Sequence, residues 1–152
     1  MNSPDALTVK EEPRKAGQLD RVIAKTIDFI IVGALVEIIP VAGYFAGLVY
    51  LLISDGVNEG RSLGKWLIGL RVVLRGSPSV QCSLKESILR NFFFGVAYLI
   101  FGVLRVIPLI GWILSIAVFG VVVFFEWLIM FGSVDGGRFG DEIAKTMVIE
   151  GK

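Results

Sequence analysis

Histidine is absent from this 152-residue chain, and cysteine occurs once, at Cys82. The first absence removes the commonest proton shuttle and metal ligand, and with them any Ser–His–Asp triad. The second excludes an intramolecular disulfide and a cysteine-based metal site. No metal, no cofactor and no enzymatic chemistry is therefore expected, and nucleic acid is not an expected partner. Charge is scarce too, at 19% of residues against about 25% in soluble domains. Hydrophobic residues make up 55%, against about 45–50%.

That scarcity is uneven. Nearly all charges fall in 1–28, 54–90 and 132–152, which leaves 29–53 and 91–131 almost wholly apolar. Runs of about 20 apolar residues are long enough to cross a bilayer. The polar start does not read as a cleaved signal peptide, because the first apolar run comes too late and is too long. Residues 1–16 read instead as a flexible cytoplasmic tail.

One octet is written twice: EIIPVAGY at 37–44 and RVIPLIGW at 105–112. Proline interrupts a helix and glycine permits the positive φ that closes a turn, so each octet reads as the bend of a helical hairpin. Tyr44 and Trp112 then suit the membrane–water boundary. Four spans follow, at about 22–39, 42–56, 88–107 and 109–131. The second is weak: Ala42 to Ile53 is 12 residues, only about 18 Å of helix. A single kinked helix over 22–53 is the rival reading. Of the fifteen Lys and Arg, all but Arg105 lie in the tail and first-helix entry, the middle loop or the C-terminal segment. Placing these three regions in the cytoplasm satisfies the positive-inside tendency and requires two hairpins.

The fold expected is an all-α membrane protein of four transmembrane helices in two hairpins, with both termini cytoplasmic in the plasma (inner) membrane. GRSLGKWLIGLRVV (60–73) after the first hairpin and GRFGDEIAKTMVI (137–149) after the second extend the similarity. The hairpins would thus form a parallel pseudo-repeat with its axis along the membrane normal. Gly76-Ser77-Pro78 marks a short cytoplasmic β-hairpin-like loop, Ser83 with Glu86 a capping box, and 70–75 is placed to pair with 146–149.

These residues resemble the RDD membrane proteins, named for one arginine and two aspartates. The likeness rests on Arg21 and Asp28 in RVIAKTID, on 60–73, on Leu89-Arg90, and on Asp141, Ala144, Thr146 and Val148, over a membrane domain of 17–150. The family usually has an aromatic or basic residue where Trp66 stands, and often histidine where Gly140 stands. The resemblance implies the four-span fold and transport of an ion or solute, as suggested for some members.

Charges at membrane depth cost about 2.5–3.5 kcal/mol each and need partners or water. Asp28 lies seven residues after Arg21, on the same helix face about 10 Å away; Arg21, Arg90 or a middle-loop cation is its expected partner. Asp28 is then either an ion or proton site or a staple between helices. Asp141 would cap a short helix or tie it to Arg61 or Lys65. Glu126, inside VVVFFEWLIM, either pairs internally or binds a cation or proton. Glu37 and Arg105 hold equivalent places near the far ends of the first and third helices, and either pair across the axis or reach separately to water. Lys65, Trp66, Arg71 and Arg75 are expected at the cytoplasmic membrane surface, meeting anionic head groups. GVNEGRSLGKW lacks the spacing of a phosphate-binding loop. Small residues (Gly43 with Gly47, Ala42 with Ala46, Gly95 with Gly102) offer thin faces for packing within one chain.

The function expected is transport of a small ion or solute, cation/proton exchange being one form, with a homo-oligomer or a membrane-protein partner. The alternative is a non-catalytic scaffold or regulatory subunit acting through its cytoplasmic face.

Overall fold

The computed structural model describes residues 13–133 and 136–151. It is mostly helical: α1 (Gln18–Ile38), α2 (Pro40–Val57), α3 (Leu63–Ile68), α4 (Leu84–Arg105), α5 (Ile110–Gly132) and α6 (Phe139–Ile143). Three short strands accompany them: β1 (Leu70–Leu74), β2 (Ser77–Gln81) and β3 (Thr146–Glu150). Among the described residues, α2, α4 and α5 are long and apolar enough to cross a membrane. Helix α1 is as long, but Asp20, Arg21, Lys25, Asp28 and Glu37 interrupt its apolar character.

The first octet breaks at Ile39, whose φ of −136° leaves the helical region; a residue before proline is pushed that way by the ring. Pro40 then opens α2, where its missing N–H is not needed. Helices α1 and α2 pack against each other, which removes the single kinked helix. The glycines do not close the bends as expected. In the second octet the positive φ falls on Leu109, at 59°, while Gly43 and Gly111 lie inside α2 and α5. Each bend is complete before its glycine. A Cβ on Gly43 would strike the Leu35 carbonyl, and one on Gly111 the Leu104 carbonyl, so both glycines serve close approach of the two arms. Gly47 and Gly95 likewise admit Val32 and Leu52 from neighbouring helices.

The order long helix, long helix, short helix, strand occurs twice, as α1-α2-α3-β1 and α4-α5-α6-β3. Each short helix is seated on the first helix of its own half through a glycine. Added methyl groups would meet the Ala24 carbonyl at Gly64 and the Arg90 carbonyl at Gly140. Strands β1 and β3 pair antiparallel with Val72 opposite Val148 at the centre, and Leu70 opposite Glu150 mirrors Leu74 opposite Thr146. The pairing is thus unchanged when the halves are exchanged. The loop is therefore more than a hairpin: the sheet order is β2-β1-β3. Ser83 and Glu86 form the capping box of α4.

Of the expected tail, residues 1–12 lie outside the described residues. Its end is held rather than loose: Ala16 N–H donates to Val148 at 3.0 Å, and Glu150 N–H donates to the Arg14 carbonyl at 2.9 Å. One apolar cluster (Ala24, Leu70, Val72, Cys82, Val148) joins α1 to the sheet. Another (Val32, Leu51, Tyr98) lies between the long helices. The outward faces of α2 and α5 expose Phe45, Val49, Phe124, Trp127 and Leu128.

Candidate functional site

Three aspartates are sealed at the sheet end of the helices, each no more than 1% exposed. Asp28, from α1, accepts hydrogen bonds from Tyr50 Oη (2.6 Å), Ser62 Oγ (2.7 Å) and the Gly64 N–H (2.9 Å). The glycine that seats α3 on α1 also brings that N–H within reach. Arg21 is not its partner, nor is Arg90. Seven helical residues set Arg21 one full step toward the sheet, where it pairs with Asp141 and donates to the Gly136 carbonyl.

Asp141 caps α6, accepting from the Arg138 N–H at 3.2 Å. It does not reach Arg61 or Lys65, because Gly140 lays α6 on α4 rather than on α3. Its counter-ions are Arg21, Arg138 (3.8 Å) and Arg90, whose Nη2 lies 2.7 Å away but out of line for a hydrogen bond. Burial alone would raise the Asp141 carboxyl, but Arg90, Arg138 and Arg21 outweigh it and hold it below the usual carboxylate range.

Asp55, Lys25 and Asn91 were not anticipated. Asp55, near the end of α2, sits 2.5 Å from Lys65 Nζ, 3.6 Å from Arg90 Nε and 3.3 Å from Asn91 Nδ2. Lys65 is therefore no surface residue: it is 3% exposed and points inward beside Gly64. Burial pushes its ammonium down from the ordinary lysine value and Asp55 opposes that. Leu63, Trp66 and Leu67 form the outward face of α3 instead. Their i, i+3, i+4 spacing was the available signal. Arg71 is half-buried, and Arg75 makes a two-pronged ion pair with Glu142 at 2.6 and 3.0 Å.

At the opposite end, Arg105 Nη2 lies 3.6 Å from Glu37 Oε1, and its guanidinium stacks 4.2 Å from the Trp112 ring centroid.

Glu126 is 6% exposed and its Oε2 has no hydrogen-bond partner among the described residues. It lines a cavity of about 120 Å³ between α1, α4 and α5, with Arg21, Lys25, Arg138, Phe94 and Trp127. Lys25 Nζ donates to Asn91 Oδ1 at 3.2 Å and lies 4.9 Å from the Phe94 ring centroid. Among the described residues, no group of three or more acids or Cys is gathered for a metal ion. The arrangement has two parts, a set of paired ions that locks the long helices to the short helices α3 and α6 and a pocket holding a carboxyl with an oxygen unpaired among the described residues. No family model, no curated protein and no solved structure matches the chain.

Proposed function

We propose that the chain is a four-span protein of the plasma (inner) membrane, with α1 as the additional span, its sheet and both termini cytoplasmic, and its halves related by an axis along the membrane normal. Three charges of α1 support this reading because they turn inward: Arg21, Lys25 and Asp28 are all buried. Membership of the RDD proteins is part of the same proposal. The arginine and two aspartates of the name correspond to Arg21, Asp28 and Asp141, the first and last of which pair.

The function best supported is proton-coupled transport of a small ion or solute. One observation carries it: Glu126 is buried in the most apolar helix with an oxygen left unpartnered, facing a cavity. A carboxyl in such a place either costs the fold without return or takes and releases a proton. The three aspartates are excluded from that role because each is engaged by several donors. In liposomes holding a pH-sensitive dye, the native chain is expected to dissipate an imposed proton gradient when a permeating co-substrate is present. Glu126→Gln should abolish this, and unchanged flux would remove Glu126 from the mechanism.

A scaffold or regulatory subunit is the second reading. The exposed face of α3 (Leu63, Trp66, Leu67) favours it, as a place where a membrane partner or anionic lipid surface can be met. Stable co-purification of one membrane protein, with no flux, would decide for it.

A further inference from the structure

The buried charges do not balance. Among the described residues, five buried cations (Arg21, Lys25, Lys65, Arg90, Arg138) face four buried acids (Asp28, Asp55, Asp141, Glu126). Asp55 serves Lys65 and Arg90, and Asp141 serves three arginines. Lys25 has no carboxylate within ion-pairing distance among the described residues; an amide oxygen and two ring faces are its company. It lines the α1–α5 cavity with Arg21 and Arg138, whose Nε atoms have no hydrogen-bond partner among the described residues. These three cations and Glu126 are between 6% and 8% exposed. A cationic side chain so enclosed is expensive unless a counter-charge joins it.

We infer that the cavity is an anion-binding site, in which Lys25, Arg21 and Arg138 receive a small oxyanion beside the carboxyl of Glu126. Size narrows the ligand. A cavity of about 120 Å³ has room for a group the size of nitrate, acetate or a single phosphate. Phe94, Trp127 and Met130 belong to the apolar part of the wall, which fits either a free anion or the phosphate of an acidic lipid whose chains lie against α5. Protonation of Glu126 removes the one negative charge on the cavity wall and so strengthens the site; the proton and the anion would travel together. The assignment deepens the transport reading and rests on it only for what the bound anion is for.

The full chain in non-ionic detergent is titrated calorimetrically with sodium nitrate, acetate or phosphate against a gluconate background of constant ionic strength. In a second arm the titrant is micelles doped with phosphatidylglycerol. Saturable one-to-one binding is expected in at least one arm, and the arm that responds tells a free anion from a lipid head group. Loss of one charged donor should weaken binding about tenfold or more in Lys25→Met, whereas Lys25→Arg should stay within a few-fold. Absence of saturable binding in both arms, or equal affinity in Lys25→Met, overturns the site. If Lys25→Met is not monodisperse, Glu126→Gln decides: it should bind the anion more tightly, and unchanged or weaker affinity overturns the site. Binding without flux sinks the transport reading and leaves the anion site standing; flux without binding does the reverse.

Discussion

Lys25 and Asn91 hydrogen-bond at 3.2 Å, and they occupy the same place in the two halves of the chain. Each follows the residue whose carbonyl receives its half's seating glycine, Ala24 under Gly64 and Arg90 under Gly140. Val72 opposite Val148 is a further contact between equivalent positions, and Glu37 lies beside Arg105, its counterpart in the second octet. The contact between the helices and the contact between the strands thus both join corresponding residues of the two halves.

Asp55 should matter more to stability than Asp28. Asp55→Asn leaves Lys65 and Arg90 buried with less counter-charge, and breaking such a pair costs about 3–5 kcal/mol. Asp28 accepts from three neutral donors, so Asp28→Asn keeps an acceptor oxygen and should cost about 1–3 kcal/mol. Denaturation midpoints and the monodisperse fraction in detergent give the ranking; equal losses would contradict it.

The seating glycines should be intolerant of a single methyl group. Gly64→Ala and Gly140→Ala force a Cβ into a backbone carbonyl, and overpacking of that kind costs about 1–3 kcal/mol. Gly33→Ala and Gly120→Ala, which meet nothing within 4 Å, are expected to be neutral or mildly stabilising, since alanine favours helix by about 1 kcal/mol. Thermal midpoints of the four variants make the comparison.

Stability should fall in acid, and Asp141 should account for part of the fall. Its folded-state carboxyl is held below the ordinary range, so its contribution is complete above the unfolded value of about 3.9. That contribution is lost as pH drops through the folded value. The melting temperature is expected to be insensitive to this group between pH 5 and 8, as orders of magnitude set by the same relation, and to decline below about 4. The decline should be shallower in Asp141→Asn.

Cys82 should resist labelling. It is 3% exposed, and burial pushes its thiol up to about 11, so little thiolate exists at neutral pH. A maleimide reagent should modify the native protein slowly and the denatured protein at the rate of a free thiol. Fast native labelling would mean that the junction between sheet and α4 opens readily.

Much of this fold could be read from residue order. The paired octets, the capping box at Ser83 and Glu86, and the β-branched runs that became β1 and β3 are local signals. The charged network was less legible. Asp55 falls within the second expected span, and only the seating of α3 on α1 shows that its carboxylate is enclosed with Lys65. Lys65 is expected with Trp66 at the membrane surface, although a helix turns adjacent residues about 100° apart. Arg21 and Asp28 share a helix face, yet one step of seven residues separated their partners, and no spacing rule reveals that Asp141 arrives from the far end of the chain.

The self-matching strand pair has one last implication. Two identical polypeptides, each a single copy of the unit, would meet at such a centre with each residue on the axis facing its own duplicate: lysine against lysine. Joining the copies in one continuous polymer lifts that restriction. Lysine can then face asparagine, so the interior acquires a polarity that no symmetric assembly of equal halves could hold.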